Sequence, residues 1–167
     1  PAEPGFKRAI IAPHPDIRLP KIQCSYDSVN GTYVSSFEIC SDGKTFPESF
    51  LVMKKDGVII GMINGCVSNQ QVICDAMYED ESLHDPYGAY QTVFGLDVHP
   101  AHQHQGYAGE LMQALIETAK KEGRTGMVLT CKKHLVGFYE RFGFHNMGVS
   151  ASVHGGAEWY DMLLCFA

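Results

Sequence analysis

The 167-residue sequence has one tryptophan, no CxxC pair among its six cysteines, and little positive charge. No apolar run approaches the ~20 residues of a membrane-spanning helix, so no membrane partner is expected. Lys and Arg number 13 against 19 Asp and Glu, a formal net charge of -6. Nucleic-acid binding needs a basic face for phosphates, so nucleic acid is not expected as a partner. A cationic small substrate suits an acidic protein better. Cys24, Cys40, Cys66, Cys74, Cys131 and Cys165 are too scattered for a zinc cluster, and no metal is expected. Buried free thiols in a reducing cytoplasm are the expected state. The opening PAEPGFKRAI lacks the basic segment and apolar core of a secretory signal. The chain opens at Pro1 without methionine, so a start residue or leading segment is expected to be missing.

What is present is 45% hydrophobic and 19% charged, in keeping with one folded domain over residues 1–167. The first 48 residues carry the weakest pattern. FKRAIIA (6–12) could be a strand. Leu19, Ile22, Tyr26 and Val29 fall at helical spacing with Asp16 as a possible N-cap, although Pro20 weakens that helix. Ser, Gly and Asn then suggest loop up to Gly43.

From Ser49 the pattern sharpens. SFLVMKK and VIIGMINGCV flank Asp56-Gly57, a hairpin signal. Residues 75–85 predict a short helix or loop, and YQTVFGLDV (90–98) a strand stopped by Pro100. Ala108, Leu111, Met112, Leu115, Ile116 and Ala119 repeat as one buried helix face, closed by Gly123. A buried strand MVLTC, a short helix LVGFYERF and two final strands complete an α/β (α+β) order with helices between strands.

One unit carries chemistry: the strand 90–98, the turn Gln103-His104-Gln105-Gly106, and the helix that follows. A helix N-terminus presents unbonded N–H groups and partial positive charge, which suits a pyrophosphate. Gly106 and Ala108 let an anion approach the backbone. The turn is neither GxGxxG nor a P-loop, so those nucleotide folds are disfavoured.

LDVHPAHQHQGYAGELMQALIETAK resembles the acetyl-CoA motif of the GNAT superfamily of N-acetyltransferases, with Gln103, Gly106 and Ala108 at its Gln/Arg-x-x-Gly-x-Gly/Ala positions. VLTCKKHLVGFYERFGFHNMGVS resembles the family's second cofactor motif. The C-terminal half looks most like the arylalkylamine N-acetyltransferases and their bacterial branch. The likeness runs from about Ser49, making 49–167 the cofactor-binding core and 1–48 an atypical N-terminal part.

The resemblance implies a mixed, mostly antiparallel sheet of about seven strands, helices on both faces, and a splay at the cofactor strand. It implies acetyl-CoA as cosubstrate and direct acetyl transfer to a small-molecule or peptide amine. Leu96, Asp97 and Val98 would bond the pantetheine arm. His104, Gln105, Gly106, Tyr107, Ala108 and Gly109, with Gln103, would hold the pyrophosphate. Tyr139 matches the family tyrosine beside the thiol, a general acid.

The base departs from the family. Thr92 and Phe94 stand where arylalkylamine acetyltransferases carry two histidines, and neither can take a proton. His154, with an ordinary pKa of about 6.5, is the first replacement to consider. Asp75, Glu79 and Asp97 are others. A catalytically silent CoA-binding or regulatory module is therefore the alternative. A covalent acetyl-Cys131 step is disfavoured, because direct transfer is the family pattern and buried thiols are inert. Edge strands near the C-terminus could pair two copies into a homodimer.

Overall fold

A computed structural model describes residues 10–13, 20–27, 32–39 and 49–167. Strand β1 (Ile10–Pro13) runs antiparallel to β4 (Phe50–Lys55), and β4 to β5 (Val58–Asn64). The β4–β5 turn is the expected hairpin. Asp56 and Gly57 both have positive φ, 51° and 80°, the backbone that a two-residue turn matched to strand twist demands.

β5 continues after Gly65 and Cys66 into β6 (Val67–Ser68). β7 (Tyr90–Val93) continues after Phe94 into β8 (Gly95–Val98). β9 (Gly126–Cys131), β10 (His145–Val149) and β11 (Tyr160–Cys165) follow. Taken as continuous runs, they make seven sheet positions in the order β1, β4, β5/β6, β7/β8, β9, β11, β10. Among the described residues only β7 and β9 pair in parallel, so the predicted mixed and mostly antiparallel sheet is present.

Two N-terminal expectations are corrected. Pro20–Asp27 is a strand (β2) paired antiparallel with Thr32–Ile39 (β3), not a helix followed by loop. Ile22, Cys24 and Tyr26 also alternate with polar residues, and that period of two prevails over the helical spacing. Pro20 is tolerated as a first strand residue, where its missing N–H costs little. Residues 6–9 and the Asp16 cap lie outside the described residues.

Helix α1 (Tyr107–Lys121) buries Tyr107, Leu111, Met112, Leu115, Ile116 and Ala119. The buried face is the predicted one with Tyr107 in place of Ala108. The short helix α2 (Val136–Glu140) lies on the same side, since both helices join one core with Met127, Leu129, Cys131 and Met162. Among the described residues, both α-helices therefore cover one face, where the sequence predicts helices on both. On the other face Ile73, from the preceding loop, and Met77, from the 3-10 turn Asp75–Tyr78, pack on Tyr90 and Val128. β10 is an outer strand, and its Met147 and Val149 are exposed.

Candidate active site

The strand predicted over 90–98 is two strands, and the break between them makes the site. β7 pairs in parallel with β9, while β8 turns away and, among the described residues, pairs only with β5. The side-chain parity changes at the break. Val93 packs in the α1-side core and Phe94 on the opposite face, yet Leu96 and Val98 return to the α1 side. Leu96 lies three positions after Val93, an odd spacing for two residues on one face, so one extra residue has entered the strand, as in a β-bulge. The edge of β8 that faces β9 is left open.

The break is fixed from the neighbouring strand. The Cys66 N–H donates to Thr92 Oγ1 at 2.8 Å, and the Thr92 hydroxyl donates to the Cys66 carbonyl at 3.1 Å. A Cβ on Gly65 would lie 1.9 Å from the Thr92 carbonyl oxygen, so only glycine lets the strands approach here. Thr92 is thus a buried structural clamp.

The ladder on β8 decides which peptide groups face the gap. His99 N–H donates to Ile60 O at 2.7 Å, which makes the facing pair Gly61 and Val98 non-hydrogen-bonded. Alternation then turns the peptide groups of Asp97 toward β5 and those of Leu96 and Val98 toward the gap. Of the three residues predicted to bond a pantetheine arm through the backbone, Leu96 and Val98 are placed to do so. The Val98 carbonyl already accepts from Gln103 Nε2 at 3.1 Å. Gln103 therefore joins the turn to the end of β8.

The turn itself is built for exposed N–H groups. His104 and Gly106 are left-handed, with φ of 62° and 85°. The first α1 bond runs from Glu110 N–H to Gly106 O, 3.1 Å, so the N–H groups of Tyr107, Ala108 and Gly109 have no acceptor within the helix. Gln103, His104, Gln105 and Gly106 are exposed, whereas the Tyr107 side chain is buried and only its backbone can serve a ligand. Lys55 Nζ donates to the Tyr107 hydroxyl at 3.4 Å and lies 5.8 Å from its ring centroid. That cation beside the α1 N-terminus has no signal in the sequence. His99 Nδ1 accepts from Ala101 N–H, and the His99 and His102 rings meet edge-on, so these histidines organise the turn.

On the α1 face, Tyr139 stands beside the gap. It is buried, and its ring packs against Phe138 and Phe144. Burial pushes its phenol well above the ordinary value, and the nearby Cys131 and Asp97 add to the push. A protonated phenol near the gap can donate a proton. Burial also drives the Cys131 thiol up to about 11, which keeps it protonated and inert.

On the other face, Tyr78 packs between Phe94, with ring centroids 4.8 Å apart, and His154, stacked at 5.6 Å. The Tyr78 hydroxyl meets Thr130 Oγ1 at 3.3 Å. Asp75 accepts from the Ser152 hydroxyl and the Val153 N–H, and the Ser152 bond holds its carboxyl below the usual range. A cleft opens beside it between residues 72–75 and 150–152, with Asp161 at its side. His154 is therefore brought to the face that carries Phe94, but its ring stands on the outer side of Tyr78. Glu79 is exposed with no contact to this group.

A sheet splayed after its fourth strand position, with peptide groups facing the gap and a helix N-terminus at its end, is the architecture of an acyl-CoA-using acetyltransferase. The Acetyltransferase (GNAT) family model matches residues 21–144, and the chain belongs to that family. Serotonin N-acetyltransferase from Macaca mulatta is 30% identical over 117 residues, covering 70% of this chain and 56% of that protein. The chain thus spans little more than half of that relative's length. Among solved structures, Ard1 from Thermoplasma volcanium aligns with a TM-score of 0.57 at 17% identity, covering 73% of each chain. Arabidopsis thaliana Naa50, in complex with a bisubstrate analogue CoA-Ac-MVNAL, aligns at 0.55 with 14% identity, covering 71% of this chain and 74% of that one. The loading GNATL domain of CurA from Lyngbya majuscula reaches 0.60 at 10% identity, over 72% and 77%. These structural likenesses establish the fold.

Proposed function

We propose that the chain binds acetyl-CoA in the gap between β8 and β9 and catalyses transfer of its acetyl group to a primary amine. The observation that carries this is the open edge of β8 running into the free N-terminus of α1. The residues fit the group. Leu96 and Val98 offer peptide groups that no described strand uses, the Val98 carbonyl accepting only from Gln103 Nε2, and a pantetheine amide could pair there as a strand would. The N–H groups at His104 through Gly109, with the helix dipole, suit a pyrophosphate. When bound, acetyl-CoA supplies an activated acetyl thioester.

This chain's residues supply the rest. Holding amine and thioester together accounts for several kcal/mol of the barrier. A backbone N–H of β8 faces the developing negative oxygen. Tyr139, held protonated by burial, gives its proton to the departing thiolate. The amine enters from the face bearing Tyr78 and Phe94. His154, at the mouth of that face, carries the amine's proton toward solvent. The acceptor is a small amine or a peptide N-terminal amine, and the acidic chain favours a cationic one. The free thiols of Cys66, Cys74, Cys131 and Cys165 support a reducing, cytoplasmic setting.

A silent CoA-binding module is the second reading, favoured by the clamp that occupies Thr92. The test is thiol release from acetyl-CoA with polyamines, arylalkylamines, aminoglycosides, amino acids and peptides, beside thermal shift with acetyl-CoA. Release with at least one amine supports transfer. A thermal shift without release supports the silent module, and neither response refutes both.

A further inference from the structure

We infer that Asp97 is the general base that removes the proton from the acceptor amine, acting opposite Tyr139; this rests on the transferase reading above. Four observations meet at this residue. Its side chain leaves β8 on the face opposite Leu96 and Val98, the face that carries Phe94 and, through it, Tyr78. That is the face from which an amine would approach. Its peptide groups are committed to Met62 on β5, so the backbone is held while the carboxyl is not. The carboxylate is half-buried with no hydrogen-bond or ion-pair partner among the described residues. A structural carboxylate at that depth is ordinarily bonded, because an unpartnered charge is costly to bury. Finally, its charge reaches Tyr139, across the gap from β8.

The groups around Asp97 leave its role unopposed. β5 supplies no titratable side chain between Val58 and Asn64. α1 turns Leu111 toward β8's neighbour Gly61, the Tyr139 phenol and the Cys131 thiol stand on the α1 side, and among the described titratable groups Tyr78, His154 and Asp75 are associated with the face that carries Phe94. Burial raises the Asp97 carboxyl above the usual range, with no cation among the described residues to lower it. A raised carboxyl is a stronger base than an ordinary one.

The step balances. The ammonium gives its proton to the Asp97 carboxylate. The amine nitrogen bonds the acetyl carbon as the carbon–sulfur bond breaks, and the Tyr139 hydroxyl proton passes to the thiolate sulfur. The proton on Asp97 leaves by way of His154 and solvent, and the second proton of the acylated nitrogen passes through solvent to the Tyr139 phenolate, which leaves a neutral amide and restores the phenol. Thr92 and Phe94 need no basic replacement in their own positions, because the base has moved along the strand.

The test compares wild type, Asp97→Asn, Asp97→Glu and His154→Gln with the best amine from the panel, measuring kcat/KM against pH, acetyl-CoA binding and Tm. Asp97→Asn is expected to lower kcat/KM by about 10²-fold or more and to abolish the acid limb of the profile. Acetyl-CoA affinity should hold, and Tm at neutral pH should stay or rise, since a buried unpaired charge is removed. Asp97→Glu should recover part of the rate. Retention of activity in Asp97→Asn, or an acid limb that disappears with His154→Gln instead, overturns the assignment. A fall in Tm with matching loss of acetyl-CoA binding makes Asp97 structural and also overturns it. Wild type that releases no CoA with any amine defeats the transferase reading itself, and the base with it.

Discussion

Thr92 and Cys66 hold each other across the break in the sheet: the Thr92 hydroxyl accepts from the Cys66 N–H and donates to the Cys66 carbonyl. Both partners are buried. This pair sits where β5 passes into β6 and β7 into β8, so it sets where the cofactor gap opens. Thr92→Val keeps the shape but strands the buried Cys66 N–H, while the Cys66 carbonyl still accepts from the Thr92 N–H and Gln91 Nε2. It is expected to cost about 1–3 kcal/mol of stability, with Thr92→Ser costing less. Urea titration measures both. An unchanged midpoint for Thr92→Val would mean the clamp is dispensable.

Gly106 has φ of 85°, and a Cβ there would meet nothing within 4 Å. Any penalty for Gly106→Ala is therefore backbone strain, about 1–2 kcal/mol. The turn is expected to relax toward negative φ and to misdirect the α1 N–H groups. Acetyl-CoA affinity should then fall roughly 5–30-fold, the factor that such an energy corresponds to. Isothermal titration against wild type gives the answer, and equal affinities would remove the turn from the cofactor site.

Much of this was legible beforehand. The hairpin at Asp56-Gly57, the α1 face and the turn at Gly106 each follow from local chemistry, and each is where the sequence predicts it. The resemblance implies a splay on the cofactor strand, but its place at Phe94 is not legible, because YQTVFGLDV alternates well enough to pass for one strand. Only the parity of Val93 against Leu96 in three dimensions exposes the extra residue. The β2–β3 hairpin was missed because its apolar residues satisfy two periods at once. Lys55 and the Thr92–Cys66 clamp depend on contacts between residues 26 to 52 positions apart, which no local pattern records.

Tyr139 has a buried ring and a hydroxyl without a hydrogen-bond partner among the described residues. Tyr139→Phe should therefore leave stability within about 0.5 kcal/mol while kcat falls about 10²-fold or more. Acetyl-CoA affinity should be nearly unchanged. Steady-state kinetics with a parallel thermal melt separates the two effects. A variant that melts early and loses rate in proportion would assign the residue to the core alone.

Cys131 and Cys165 should differ in reactivity. The Cys131 thiol, pushed up to about 11 by burial, is protonated at pH 7.5, whereas Cys165 is exposed. Iodoacetamide is expected to label Cys165 first, and Cys131→Ala to retain transferase turnover. Peptide mapping reads the first and the thiol-release assay the second. Rapid labelling of Cys131, with loss of turnover in Cys131→Ala, would point to a covalent acetyl-enzyme.

Asp75 gains from the folded state in the opposite sense to Asp97. Its carboxyl is lowered by the Ser152 hydroxyl, so its contribution is present above the ordinary carboxylate value and is lost as pH falls through the lowered one. Ser152→Ala should move acid unfolding to higher pH and leave neutral stability less affected. Circular dichroism across an acid titration measures the shift, and coincident curves would show that the pair contributes nothing.

The central claim is that acetyl-CoA lies along β8 and ends on the α1 N-terminus. Amide NMR during titration with acetyl-CoA tests it most directly. The signals of Leu96, Val98, Tyr107, Ala108 and Gly109 are expected to shift together and saturate together, while Asp97, bonded to β5, moves less. Shifts confined to the cleft beside Asp75, or none along β8 at saturating acetyl-CoA, would contradict the account.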